Sequence, residues 1–298
     1  MNKLRDSDEF AHVPNKRPNW RESYYFNWVD PDARVSGFST IGFLPNVSKR
    51  EFVFALFYDD QREVYFREPE GSIPLDFKES LSDGVLSFEV VRPFKEWRIK
   101  YEGADLKADI SWTCRFSAYD FGQGSGTSWE GHYEQSGRPS GVIECADDRK
   151  VRFQGFGTRD KSWGSRDWHI ESWFAFHAQF ENLWIGLRRD TVKGEFHSSG
   201  SISTGQGHTP ITKVEVETQY QEEKRKMPVA ALSRVHGADG SVFTFISKMI
   251  SPTSFVRFER KFPGGSTELL EAMAVHECEE TGETGTGLLE WLFTHYQK

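Results

Sequence analysis

Between residues 23 and 67 the chain reads YYFNWV, DPD, VSGFSTIGFL, PN, EFVFALFY, DDQ, EVYF, so that short aromatic and β-branched runs alternate with turn-forming residues. Side chains of this kind fit a pleated, half-buried surface, and closely spaced turns between them predict an up-and-down antiparallel meander. Strand-like runs continue at residues 85–91, 97–101, 108–117 and 128–134. The second half has the same style in WHIESWFAFHAQF, LWIGLRR, KVEVETQY, SVFTFISKMI, SFVRFERKF, ELLEAMAVHE and GLLEWLFTH, with a Gly/Ser/His-rich loop expected over residues 198–210. Helical period is confined to two short pieces, residues 222–233 and 268–275. The expected class is all-β, and an aromatic share of 15% agrees with it.

Two echoes suggest internal duplication. Glu22-Ser23-Tyr24-Tyr25 is matched half a chain later by Glu171-Ser172-Trp173-Phe174, and Gly126 to Glu130 by Gly285 to Glu290. The expected domains are therefore residues 1–150 and 151–298. Each is long enough for a closed or strongly curved antiparallel sheet, an architecture that encloses a pocket and removes exposed edges.

With 37 Lys+Arg against 45 Asp+Glu the net charge is −8, which argues against a general nucleic-acid or anionic-membrane binder. Cys114, Cys145 and Cys278 form no CxxC pair and read as reduced thiols. No apolar run reaches the roughly 18 residues of a bilayer span, and the charged start lacks a signal-peptide core. A cytoplasmic protein is expected, and a homodimer is compatible with the sequence.

The densest polar and aromatic constellation is GFGTRDKSWGSRDW, residues 155–168. It lacks the GKS/T ending of a phosphate loop, and the chain carries no GxSxG elbow, HExxH or strand-initiated GxGxxG. No cofactor and no metal are expected. Asp160 and Asp167 are the candidate catalytic carboxyls. Desolvation among aromatic side chains would favour the protonated acid, whereas Arg159 and Arg166 would favour the carboxylate, so either acid or base work stays open. Trp163 and Trp168 offer flat faces to an apolar ligand or a cation-like state. A blander reading has the arginines stacked on tryptophans and the segment serving as a plug.

Strand alternation puts His132 and Glu134 on one face and Tyr133 and Gln135 on the other, which makes His132 a third catalytic candidate. His169 and Glu171 share a face in the same way. His177 is roughly 26 Å along the strand from His169, too far to share a metal. Tyr133, Glu134 and His169 join Trp163, Trp168, Arg159 and Arg166 as expected substrate contacts.

GFGTRDKSWGSRDW, together with HYEQSGRPSG at residues 132–141 and the opening ESYYFNWVDP, resembles an uncharacterised bacterial branch of the AttH and carotenoid 1,2-hydratase (hydroxyneurosporene synthase) group. The resemblance implies tandem lipocalin-like barrels and cofactor-free chemistry on a hydrophobic small molecule. Expected activities are hydration or dehydration, isomerisation or cyclisation of a terpenoid, steroid, polyketide or aromatic compound. A binding or carrier protein for a lipid-like ligand is the alternative.

Overall fold

The computed structural model describes residues 4–122, 129–166, 168, 170–221 and 227–296. The aromatic runs form strands throughout, in two units, Met1–Arg166 and Asp167–Lys298. The first carries β1 (Trp20–Asp30), β2 (Val35–Leu44), β3 (Lys49–Tyr58), β4 (Gln61–Arg67), β5 (Leu86–Arg92), β6 (Glu96–Glu102), β7 (Leu106–Cys114), β8 (Tyr119–Asp120), β9 (Gly131–Cys145), β10 (Lys150–Gln154) and β11 (Gly157–Ser165). They make one sheet in the order β4-β3-β2-β1-β11-β9-β7-β6-β5, with β8 and β10 also paired to β9. Its ends curl over a shared core without pairing: Phe54 of β3 stacks on Tyr101 of β6 at 4.3 Å, and the Tyr101 hydroxyl donates to Glu63 of β4 at 2.8 Å.

The second unit carries β12 (Ser172–Gln179), β13 (Trp184–Val192), β14 (Glu195–Thr204), β15 (Gly207–Tyr220), β16 (Pro228–Gly237), β17 (Val242–Met249), β18 (Phe255–Phe262), β19 (Gly265–Cys278) and β20 (Thr284–Tyr296). Pairing of β17 with β19 closes eight of these strands into a barrel, and β18 flanks β19. Phe174, Phe176, Leu187, Phe245, Leu289 and Trp291 fill it. The fold is thus all-β and lipocalin-like in tandem, one sheet half-closed and one closed.

The boundary lies after Arg166, beyond the seam expected near residue 150, because β11 hydrogen-bonds to β1 and β9 of the first sheet. The motif strand therefore completes the first unit and does not open the second. The two topologies match: β1 lies between β2 and the last strand of its unit, and β12 between β13 and the last strand of its own. The short echoes do not mark equivalent residues. Aligning Glu22 with Glu171 sets core-facing Tyr24 over Trp173, which packs on the barrel's outside, and a slip of one residue exchanges the two faces of a strand. Glu290 lies within β20 whereas Glu130 precedes β9.

The pieces expected to be helical are strands where described. Residues 268–275 lie in β19, whose two buried faces blur the strand alternation into a helix-like pattern. The expected loop at residues 198–210 forms a hairpin of β14 and β15. At Gly200, with φ of 140°, a Cβ would come within 2.2 Å of the Gly186 carbonyl oxygen, so the strand needs glycine there.

His276 is sealed inside the barrel at 0% exposure, its Nδ1 2.9 Å from Ser247 Oγ and its ring edge-on to Phe176. Burial, with a smaller contribution from His177, pushes it down to about 3. The unfolded chain then takes up the proton first as pH falls. The stabilisation is complete above the ordinary histidine value and disappears as pH drops toward 3. Urea unfolding of His276→Leu should show a pH slope shallower than the parent's by up to about 1.4 kcal/mol per unit in that window. Equal slopes would exclude this histidine as the source.

Candidate active site

Alternation along β11 divides the motif between two faces. Arg159, Lys161 and Trp163 face the core of the first unit, while Asp160 and Ser162 face the other way. On the core side Arg159 is 1% exposed. Its Nη2 donates to Glu9 Oε1 at 2.5 Å and to Gln135 Oε1 at 2.8 Å, and its Nε to the same Gln135 oxygen at 3.0 Å. Tyr133 also donates to Glu9 Oε1, at 2.6 Å. Burial alone would lower the guanidinium, but Glu9 and Tyr133 outweigh it and raise it above its ordinary value. Desolvation lifts the Tyr133 phenol in turn.

One residue pair along, Lys161 Nζ donates to Glu22 Oε1 at 2.5 Å and to the Phe10 carbonyl at 2.8 Å, with His12 Nδ1 at 3.1 Å. Burial holds this ammonium below its ordinary value. Trp163 lies flat over Gly131, where a Cβ would meet its ring at 2.2 Å, and stacks on His12 at 3.9 Å. Arg159, Tyr133 and Trp163 are therefore brought together, but on the opposite side of the sheet from Asp160.

The Asp160 face has a different character. Register pairs Tyr119 of β8 with Glu134 of β9, Glu134 with Asp160 of β11, and Asp160 with Tyr25 of β1. Two carboxyl groups and two phenols thus form one row across four strands, at the ~4.8 Å spacing of neighbouring strands. Burial holds Tyr119 above its ordinary value, so it stays protonated and able to donate. The next row joins His132, Ser162 and Ser23. The Ser23 and Ser162 hydroxyls are 2.8 Å apart, and half-buried Arg166 donates to Ser162 Oγ at 2.7 Å.

His132 Nε2 lies 3.2 Å from Glu134 Oε1, and the two residues are only 7% and 4% exposed. A carboxylate at Nε2 favours the tautomer with its proton there, which leaves a lone pair at Nδ1. That atom is buried and has no hydrogen-bond partner among the described residues. Trp129 stacks on the imidazole at 4.4 Å, and Phe121 meets it edge-on at 4.8 Å. The imidazole is thus held against Glu134 between aromatic walls.

Asp167 and His169 lie outside the described residues. Trp168 belongs to the second unit, where it packs 5.8 Å from Trp173 and accepts at its carbonyl from Thr267 Oγ1. Among the described residues no group of three His, Cys, Asp or Glu could hold a metal ion. Among the described residues no helix is long and apolar enough to cross a membrane.

Tyr25, Tyr119, Ser23 and Ser162 were not anticipated, although alternation about Asp160 would have selected Ser162. Glu9, Glu22 and Lys161 were missed because buried charges look like surface charges in a sequence.

Among solved structures, kievitone hydratase from Nectria haematococca is similar to this chain, with a TM-score of 0.65 at 10% identity over 97% of this chain and 94% of that one. CghA with Sch210972 gives 0.65 at 11% identity, and a second CghA structure 0.64 at 11%, each over the same shares of the two chains. At such identities the likeness establishes the tandem β fold alone. No curated protein matches in sequence. One family model does match, over residues 5–294, nearly the whole chain, and the protein therefore belongs to the family described as a domain of unknown function, DUF7064.

Proposed function

We propose that this protein is a cofactor-independent hydratase or dehydratase acting on a hydrophobic small molecule of terpenoid, steroid, polyketide or aromatic type. The observation that carries the proposal is the buried His132–Glu134 pair, with Nδ1 directed away from its carboxylate partner and enclosed by Trp129 and Phe121. The name of one structural neighbour, kievitone hydratase, supports the same class.

In the hydration direction Asp160 gives a proton to one alkene carbon, and the cation-like charge on the other lies against aromatic faces. Water adds there and loses a proton to His132 Nδ1, while Glu134 steadies the imidazolium. The proton returns to Asp160 through solvent, so the sum is alkene plus water to alcohol. Arg166, Ser162 and Tyr25 orient oxygen atoms of the substrate. The roles of Asp167 as an acid and of Trp168 and His169 as substrate contacts remain proposals.

Incubation with a panel of such compounds, followed by mass spectrometry, should show the gain or loss of one water. Saturable binding with every compound recovered unchanged would instead establish a carrier.

A further inference from the structure

We infer that the core-facing side of the first sheet is a receptor for a carboxylate borne on an apolar group, and that Glu9 occupies this receptor from within the same chain. Three donors from three strands converge on the Glu9 carboxylate: Arg159 of β11, Tyr133 of β9 and Trp97 of β6, whose Nε1 donates to Oε2 at 2.8 Å. The guanidinium is positioned without Glu9. Gln135 holds the guanidinium edge through its oxygen, and its own Nε2 is fixed by the Phe94 and Phe116 carbonyls at 3.0 and 2.9 Å.

The occupant comes from a different kind of structure. Glu9 ends a single turn, Asp6–Glu9, in a segment that belongs to no strand; Glu9 itself is 0% exposed while most of its neighbours in residues 4–19 face solvent. The receptor also has donors that Glu9 does not use. Tyr24 Oη and Trp112 Nε1 are buried without a hydrogen-bond partner among the described residues, and the Trp112 ring is 5.5 Å from the Arg159 guanidinium.

The chemistry selects a carboxylate. A single guanidinium balances a monoanion, and donors divided between two oxygens fit a planar group. The rings of Phe94, Trp97, Trp112 and Tyr133 surround the guanidinium at 5.3–5.7 Å and would favour an apolar substituent.

Thermal unfolding of Glu9→Gly in sodium propionate, propionamide and sodium chloride tests this. A buried guanidinium deprived of its counter-charge should lower Tm by roughly 10 °C. Propionate should recover at least half of the loss, with no recovery in propionamide or chloride. The parent, whose receptor is full, should not shift. Glu9→Gln, which fills the space without charge, should be destabilised and unresponsive. Should Glu9→Gly not fold unaided, its refolding yield in propionate against propionamide gives the same reading. Equal behaviour in the two compounds overturns the inference.

Discussion

Replacing Lys161 with Met should lower the unfolding free energy of the first unit by about 3–5 kcal/mol, because it takes the ammonium from a buried carboxylate and leaves Glu22 with His12 alone beside it. Both Lys161 and Glu22 are 0% exposed, and the ammonium also bonds to the Phe10 carbonyl and approaches His12, so one side chain fastens the N-terminal segment to β1 and β11. Burial disfavours the charged ammonium, and Glu22 opposes that shift. The double variant Lys161→Met with Glu22→Leu should recover most of the loss, since removing both charges leaves no uncompensated ion. Urea denaturation followed by tryptophan fluorescence reads both. A single variant within about 1 kcal/mol of the parent would refute the description of the pair as buried and coupled.

Strand structure was legible because turn residues interrupt the aromatic runs at strand length. The same alternation paired His132 with Glu134 and set Tyr133 with Gln135, and the geometry agrees. The motif was harder. Glycines and charges hide the alternation within residues 155–168, yet Gly157–Ser165 is a central strand whose odd and even residues serve different faces. Read with a period of two, it would have separated Arg159 from Asp160. Glu9 offered no signal, since its partner Arg159 lies 150 residues away and only the folded sheet joins them. The unit boundary was misplaced for a related reason: β11 follows the apparent seam but pairs backward, and pairing partners are not written in a strand's own composition.

His132→Gln should lower turnover by 10²–10⁴-fold, in the range expected when a positioned general base is removed, and leave KM within a few-fold of the parent. The glutamine amide can occupy the place of Nε2 and still donate to Glu134, so the substitution deletes Nδ1 without leaving the carboxylate alone. Its stability should stay within about 1 kcal/mol of the parent, which separates loss of the base from loss of fold.

The most direct measurement uses a compound that the parent hydrates or dehydrates, incubated in deuterium oxide and followed by the rate at which deuterium appears on its carbon skeleton. Acid–base work at the His132, Glu134 and Asp160 cluster requires steady uptake by the parent and at least a hundredfold slower uptake by His132→Gln. Equal rates in the two proteins would place the proton transfer elsewhere and contradict the assignment.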